Sequence, residues 1–147
     1  MSSAAASVLE GLADAFNARD FDRARTLVAD DVVFVDYAME MTINGVDGFL
    51  DYANGFATAF PDMRLEALSY VGDDTRAAGE FMGRGTHDGP LQSPMGEIPP
   101  TGRELNAPFV WYADVAGGKI TRLGDYYNAA TFMSQLGLVP EASSSSA

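Results

Sequence analysis

The sequence contains no cysteine, which excludes disulfides, thiolate metal sites and thiol catalysis. Lysine occurs once, at Lys119, among nine basic residues set against 21 acidic ones, for a net charge of -12. Neutralising phosphates requires clustered lysine and arginine, so nucleic acid and anionic membrane are not expected partners. No apolar run is long enough for a signal core or a membrane span, and cytoplasmic residence is the expectation. Histidine also occurs once, at His87. One histidine with scattered carboxylates matches no metal-ligand spacing. Phosphate loop, serine elbow and zinc helix are all missing. Gly83-Arg84-Gly85 is no dinucleotide fingerprint, because no helix follows it. The expected chemistry is free of metal and cofactor.

What is present is apolar and aromatic. Hydrophobic residues make up 47% and aromatics 11% of 147 residues, the composition and length of one packed domain. Residues 1–6 and 141–147 are small, polar and patternless and are expected as tails around a domain at 7–140. Helical spacing of Val8, Leu9, Leu12, Ala13 and Phe16 predicts a helix over 7–18. A second runs over 21–28, and a third over 47–60 ends at Pro61. Val32 to Tyr37 is β-branched and aromatic and predicts a strand. Asn44-Gly45 signals a tight turn. Further strands are expected near 63–71, 76–87, 103–115 and 119–127, with hairpin turns at Gly72-Asp73-Asp74 and Gly117-Gly118. Residues 88–102, rich in proline and glycine, read as an irregular loop, and 129–136 as a last helical turn or two.

Helices followed by a run of antiparallel strands define an α+β fold. A bent antiparallel sheet wrapped around the N-terminal helices makes a cone-shaped α+β barrel. Its open mouth is a preferred place for a ligand.

The order of elements and several local sequences resemble the nuclear-transport-factor-two-like cone folds, and within them the SnoaL-like polyketide cyclases. The carriers are Ala15-Phe16-Asn17, Phe60-Pro61-Asp62, Gly85-Thr86-His87, Ile98 to Arg103, Gly118-Lys119-Ile120 and Gln135-Leu136-Gly137. The resemblance covers about 8–140. It implies a cyclase, or a related acid–base lyase or isomerase, acting on an apolar carbonyl-bearing small molecule.

Asp125 is the first candidate for catalysis. Alternation on strand 119–127 puts Thr121, Leu123, Asp125 and Tyr127 on one face, and an acid on a pocket face is costly unless solvated, paired or used. The resemblance implies the same residue, because Asp125 falls where these cyclases carry their catalytic aspartate. The alternative is a solvated strand-end aspartate. Asp36 is the second candidate. It ends the apolar stripe Val32, Phe34, and Ala29 to Asp36 resembles the stretch in ketosteroid isomerases that closes on their proton-shuttling aspartate. Leu12, and Val110 or Trp111, stand where those enzymes need a tyrosine and an acid, so steroid isomerisation is not expected. Asp36 also reads as a turn residue after a strand. Polyether epoxide hydrolases of this fold resemble the chain over the same stretch and imply a rival pair, Asp36 with Glu66, although Glu66 also reads as an exposed strand residue. His87 either orients a carboxylate or is a satisfied core histidine.

Phe34, Tyr37, Trp111 and Tyr127 are aromatics on predicted strands, available to stack a flat ligand. Asn128 offers an amide to hold a carbonyl or a water. A non-catalytic binding or dimerisation module is the reading from a different class. On strand 103–115 neither face is fully polar, which suggests that both are covered and predicts a homodimer or homotetramer.

Overall fold

Ser3 accepts a hydrogen bond from the Ala6 N–H and starts the first helix, α1, at Ala4–Ala18. This is earlier than hydrophobic spacing indicates, and it moves the expected N-terminal tail boundary. Alanines carry no periodic signal, yet Ala5 and Ala6 are buried. The computed structural model describes residues 3–138; the expected tail at 141–147 lies outside them. Helix α2 (Phe21–Thr26) follows, capped by Asp20. The chain then enters strand β1 (Val28–Asp36). Val28, expected to end a helix, instead pairs with Ile120, and an irregularity before Val33 leaves Asp30 and Asp31 exposed.

The short strand β2 (Met41–Asn44) was not expected. It pairs antiparallel with β1 and has too few residues to show alternation. Gly45, at φ 92°, starts helix α3 (Val46–Ala59), a backbone conformation that favours glycine. Strands β3 (Arg64–Gly72) and β4 (Arg76–Thr86) follow. The 88–102 stretch is not wholly irregular: β5 (Leu91–Ser93) and β6 (Gly96–Ile98) form a separate hairpin. Strands this short are hidden in sequence by the surrounding glycine and proline. Strands β7 (Glu104–Ala116) and β8 (Lys119–Tyr127) and helix α4 (Ala129–Gln135) complete the order.

The fold is α+β, as expected, with a bent, mostly antiparallel sheet. Its six strands run β2-β1-β8-β7-β4-β3. One correction concerns direction, since β1 and β8 pair in parallel. Parallel pairing needs a long crossover, and here more than half of the chain separates the two strands. Helices α1, α2 and α3 pack on the inner face. Leu9, Leu12, Phe49 and Leu50 meet Val32, Phe34, Ile120 and Leu123 in the larger core. A second cluster gathers Phe60, Met63, Leu91, Leu105, Phe109 and Phe132 where α4 and the β5–β6 hairpin close the other end. On β8, an irregularity against β7 before Val115 changes the parity. Ile120 is therefore buried, and Thr121 turns away to donate to the Asp114 carbonyl. Leu123, Asp125 and Tyr127 keep the inner face.

Candidate active site

Parallel register aligns Asp36 on β1 with Asp125 on β8, and antiparallel register aligns Asp125 with Trp111 on β7. Adjacent strands thus bring two acids to the inner face of the sheet. Both are buried, at 1% and 7% exposure, where an unpaired charge is costly.

The two carboxyls are treated very differently. Asp36 accepts three hydrogen bonds: the Met39 N–H at 2.9 Å on Oδ1, and the Tyr52 and Tyr127 hydroxyls at 2.9 and 2.8 Å on Oδ2. The Met39 bond closes the turn after β1, so the turn reading of Asp36 is also realised. Asp125 Oδ1 is buried with no partner among the described residues. Burial, and then the charge of Asp36, push the Asp125 pKa well above the usual aspartate range. Burial and the neighbouring acids likewise push both tyrosine hydroxyls up, so both remain donors.

Asp125 faces an inner chamber of about 60 Å3 lined by Leu12, Phe16, Phe34, Phe109, Trp111 and Leu123 among others. Phe109 can lie flat there because Gly83 faces it; a Cβ at 83 would sit 2.7 Å from its ring. Asp36 and Tyr127 border a larger outer chamber of about 270 Å3, walled by α3, α4 and the β5–β6 hairpin. Tyr52 and Phe56 border both chambers.

The sequence candidates therefore separate. Asp125, Phe34 and Trp111 line the inner chamber, and Asp36 and Tyr127 the outer. Tyr37 lies on the opposite face of the sheet, stacked on Tyr126 at 4.4 Å and bonded to Arg122, because it follows Asp36 by one residue and strand alternation reverses it. Asn128 caps α4 by accepting from the Thr131 N–H; its amide serves the helix end. His87 lines neither chamber. It stacks on Phe60, accepts from the Thr101 N–H at Nδ1 and is held below its usual pKa by burial. Glu66 is exposed and faces Arg84 at 3.8 Å, so the Asp36–Glu66 pair is not formed. Sequence reasoning missed Tyr52, placing it in the apolar stripe of α3. The available signal was its hydroxyl, which must find a partner once buried. Among the described residues no group of three or more His, Asp or Glu is placed to hold a metal ion, and no helix is long and apolar enough to cross a membrane.

The family model for SnoaL-like polyketide cyclases matches residues 6–136. The chain belongs to that family. No curated protein sequence matches it. Among solved structures it is similar to a protein of Jannaschia sp. CCS1 named as a SnoaL-like polyketide cyclase, at 16% identity and TM-score 0.80, covering 91% of this chain and 92% of the other. A ketosteroid-isomerase-like fold from Catenulispora acidiphila matches at 18% identity and TM-score 0.75, over 92% and 95%. IdmH of Streptomyces antibioticus, named as a polyketide cyclase, matches at 27% identity and TM-score 0.71, over 89% and 96%. In this SnoaL-like chain the inner chamber thus has Trp111 opposite the unpartnered carboxyl.

Proposed function

We propose that the protein is a cofactor-independent acid–base catalyst of the cyclase type, acting on a neutral, apolar, carbonyl-bearing small molecule. The observation that carries this reading is the unpartnered carboxyl oxygen of Asp125, buried in an apolar chamber beside a second acid. Family membership and the likeness to IdmH, named as a polyketide cyclase, support it.

Asp125 is the proton carrier. Its carboxylate takes a proton from a carbon next to a carbonyl, and the electron pair moves to that oxygen as an enolate. The enolate carbon bonds to a second carbonyl carbon of the same molecule, whose oxygen becomes an alkoxide. Asp125 returns the proton to that alkoxide, so no net proton is consumed. A carboxyl with a raised pKa is both a stronger base and a group that holds the proton until it is needed. Burial keeps Asp125 basic, and the charge of Asp36, held by Tyr52 and Tyr127, adds to that effect. The apolar walls exclude water, which strengthens these electrostatic effects.

The test uses α-tetralone, a flat neutral ketone, in heavy water, with loss of its α-proton signal followed by NMR. The wild type accelerates exchange, and Asp125→Asn loses about a hundred- to ten-thousand-fold of that acceleration. Equal exchange by both proteins would overturn the assignment.

A further inference from the structure

We infer that the outer chamber is a second ligand subsite, which takes the apolar tail of a neutral carbonyl compound whose head enters the inner chamber. The inference rests on the acid–base reading for the position of the head and adds the class and reach of the ligand. Size is the first argument. Pockets for small molecules typically span about 300–1,000 Å3. The inner chamber, at about 60 Å3, holds a carbonyl group and little more. The outer chamber, at about 270 Å3, supplies the missing volume.

The two chambers share Tyr52 and Phe56. Tyr52 is fixed by its bond to Asp36. Phe56 is held by apolar packing alone, stacked on Phe60 at 5.1 Å. Phe56 is therefore the part of the divider that can turn aside.

Charge is the second argument. Asp36 and Glu40 border the outer chamber and no basic side chain does, so an anionic tail is disfavoured. The third is the lining itself. Met39, Met41, Met95 and Met133 surround the space. Methionine is flexible and polarisable and adapts to irregular apolar shapes. Met95 lies between the hairpin strands and is 83% exposed, an apolar side chain positioned to close over a tail.

The seven methionines also provide the test. Met63 borders the inner chamber, and Met82, next to buried Phe81 on β4, faces the other side of the sheet. Protein labelled with 13C at the methionine methyls is titrated with 2-butanone, 2-nonanone and nonanoate. The expected result is that 2-butanone moves Met63 alone. In contrast, 2-nonanone moves Met63 together with Met39, Met41 and Met133, and leaves Met82 still. Affinity rises by up to about fourfold per added methylene, and nonanoate does not bind. Met95→Ser weakens 2-nonanone several-fold and leaves 2-butanone unchanged.

Asp125→Asn keeps the methyl pattern, so wild-type exchange retained in that variant, with the pattern intact, would count against the acid–base reading alone. The inference is overturned if 2-nonanone moves Met63 without the outer methionines, or the outer ones without Met63. It is equally overturned if Met82 moves with them, if nonanoate binds as well, if Met95→Ser weakens both ketones alike, or if no ketone shifts any methyl.

Discussion

Replacing Asp125 by asparagine removes a titration from the core and should change how stability depends on pH. The Asp125 pKa is raised in the folded protein, first by burial and then by Asp36. Above the ordinary aspartate value of about 3.9, the unfolded chain loses its proton while the folded chain keeps it. The folded state then binds more protons, so wild-type stability falls as pH rises. The slope reaches about 1.4 kcal/mol per pH unit between the unfolded and the folded pKa, against the roughly 5–15 kcal/mol typical of a domain. The loss levels off once the folded pKa is passed.

Asparagine resembles the protonated carboxyl in shape and does not titrate. Asp125→Asn should therefore match wild type near pH 4, apart from a constant offset for seating the amide, and become progressively more stable than wild type above it. Urea unfolding of both proteins from pH 4 to 8 measures this difference directly. The pH at which the difference stops growing reports the folded pKa of Asp125. Two curves that remain parallel over the range would refute the reasoning, because the carboxyl would then titrate alike in both states.

Tyr52→Phe and Tyr127→Phe each remove one donor from the buried Asp36 carboxyl, and each should cost about 1–3 kcal/mol at pH 7, read from the urea midpoint; no loss would mean that water replaces the hydroxyl. Glu66→Gln should leave exchange activity unchanged and move stability by no more than about 0.5 kcal/mol, since Glu66 is exposed beside Arg84; a large loss of activity would revive the epoxide-opening pair. The outer sheet face carries the stacked Tyr37–Tyr126 pair, 39% and 42% exposed, so light scattering should show a homo-oligomer that Tyr126→Arg dissociates; a wild-type monomer at micromolar concentration would contradict this.

Much of the fold was legible because its long elements have clear periods. Phe49, Leu50, Tyr52, Phe56 and Phe60 mark α3, and the glycine turns separate β3 from β4 and β7 from β8. The short strands β2, β5 and β6 were not legible, because three or four residues show no period. The parallel β1–β8 pair was hidden for a different reason. Nothing local to Val28–Asp36 specifies a partner some ninety residues away, yet that pairing is what sets Asp36 beside Asp125. Each acid was visible singly, Asp36 as a charge ending an apolar stripe and Asp125 as an acid beside an aromatic on a pocket-facing strand. Their adjacency, and the Tyr52 hydroxyl that reaches Asp36 from α3, depend on tertiary packing. His87 and Asn128 drew attention as polar residues near pocket strands, but the Thr131 N–H occupies Asn128 and the Thr101 N–H occupies His87 Nδ1, while the buried His87 Nε2, which has no partner among the described residues, borders neither chamber.

The most direct measurement is a 13C NMR titration of the Asp125 side-chain carboxyl, assigned with Asp125→Asn and repeated in Asp36→Asn. The account predicts that Asp125 loses its proton well above the ordinary aspartate value of about 3.9, because it is buried beside Asp36. It also predicts that Asp36→Asn moves the titration down without restoring the ordinary value, since burial, the larger cause, remains. An ordinary aspartate titration in the wild type, unchanged by Asp36→Asn, would contradict the account.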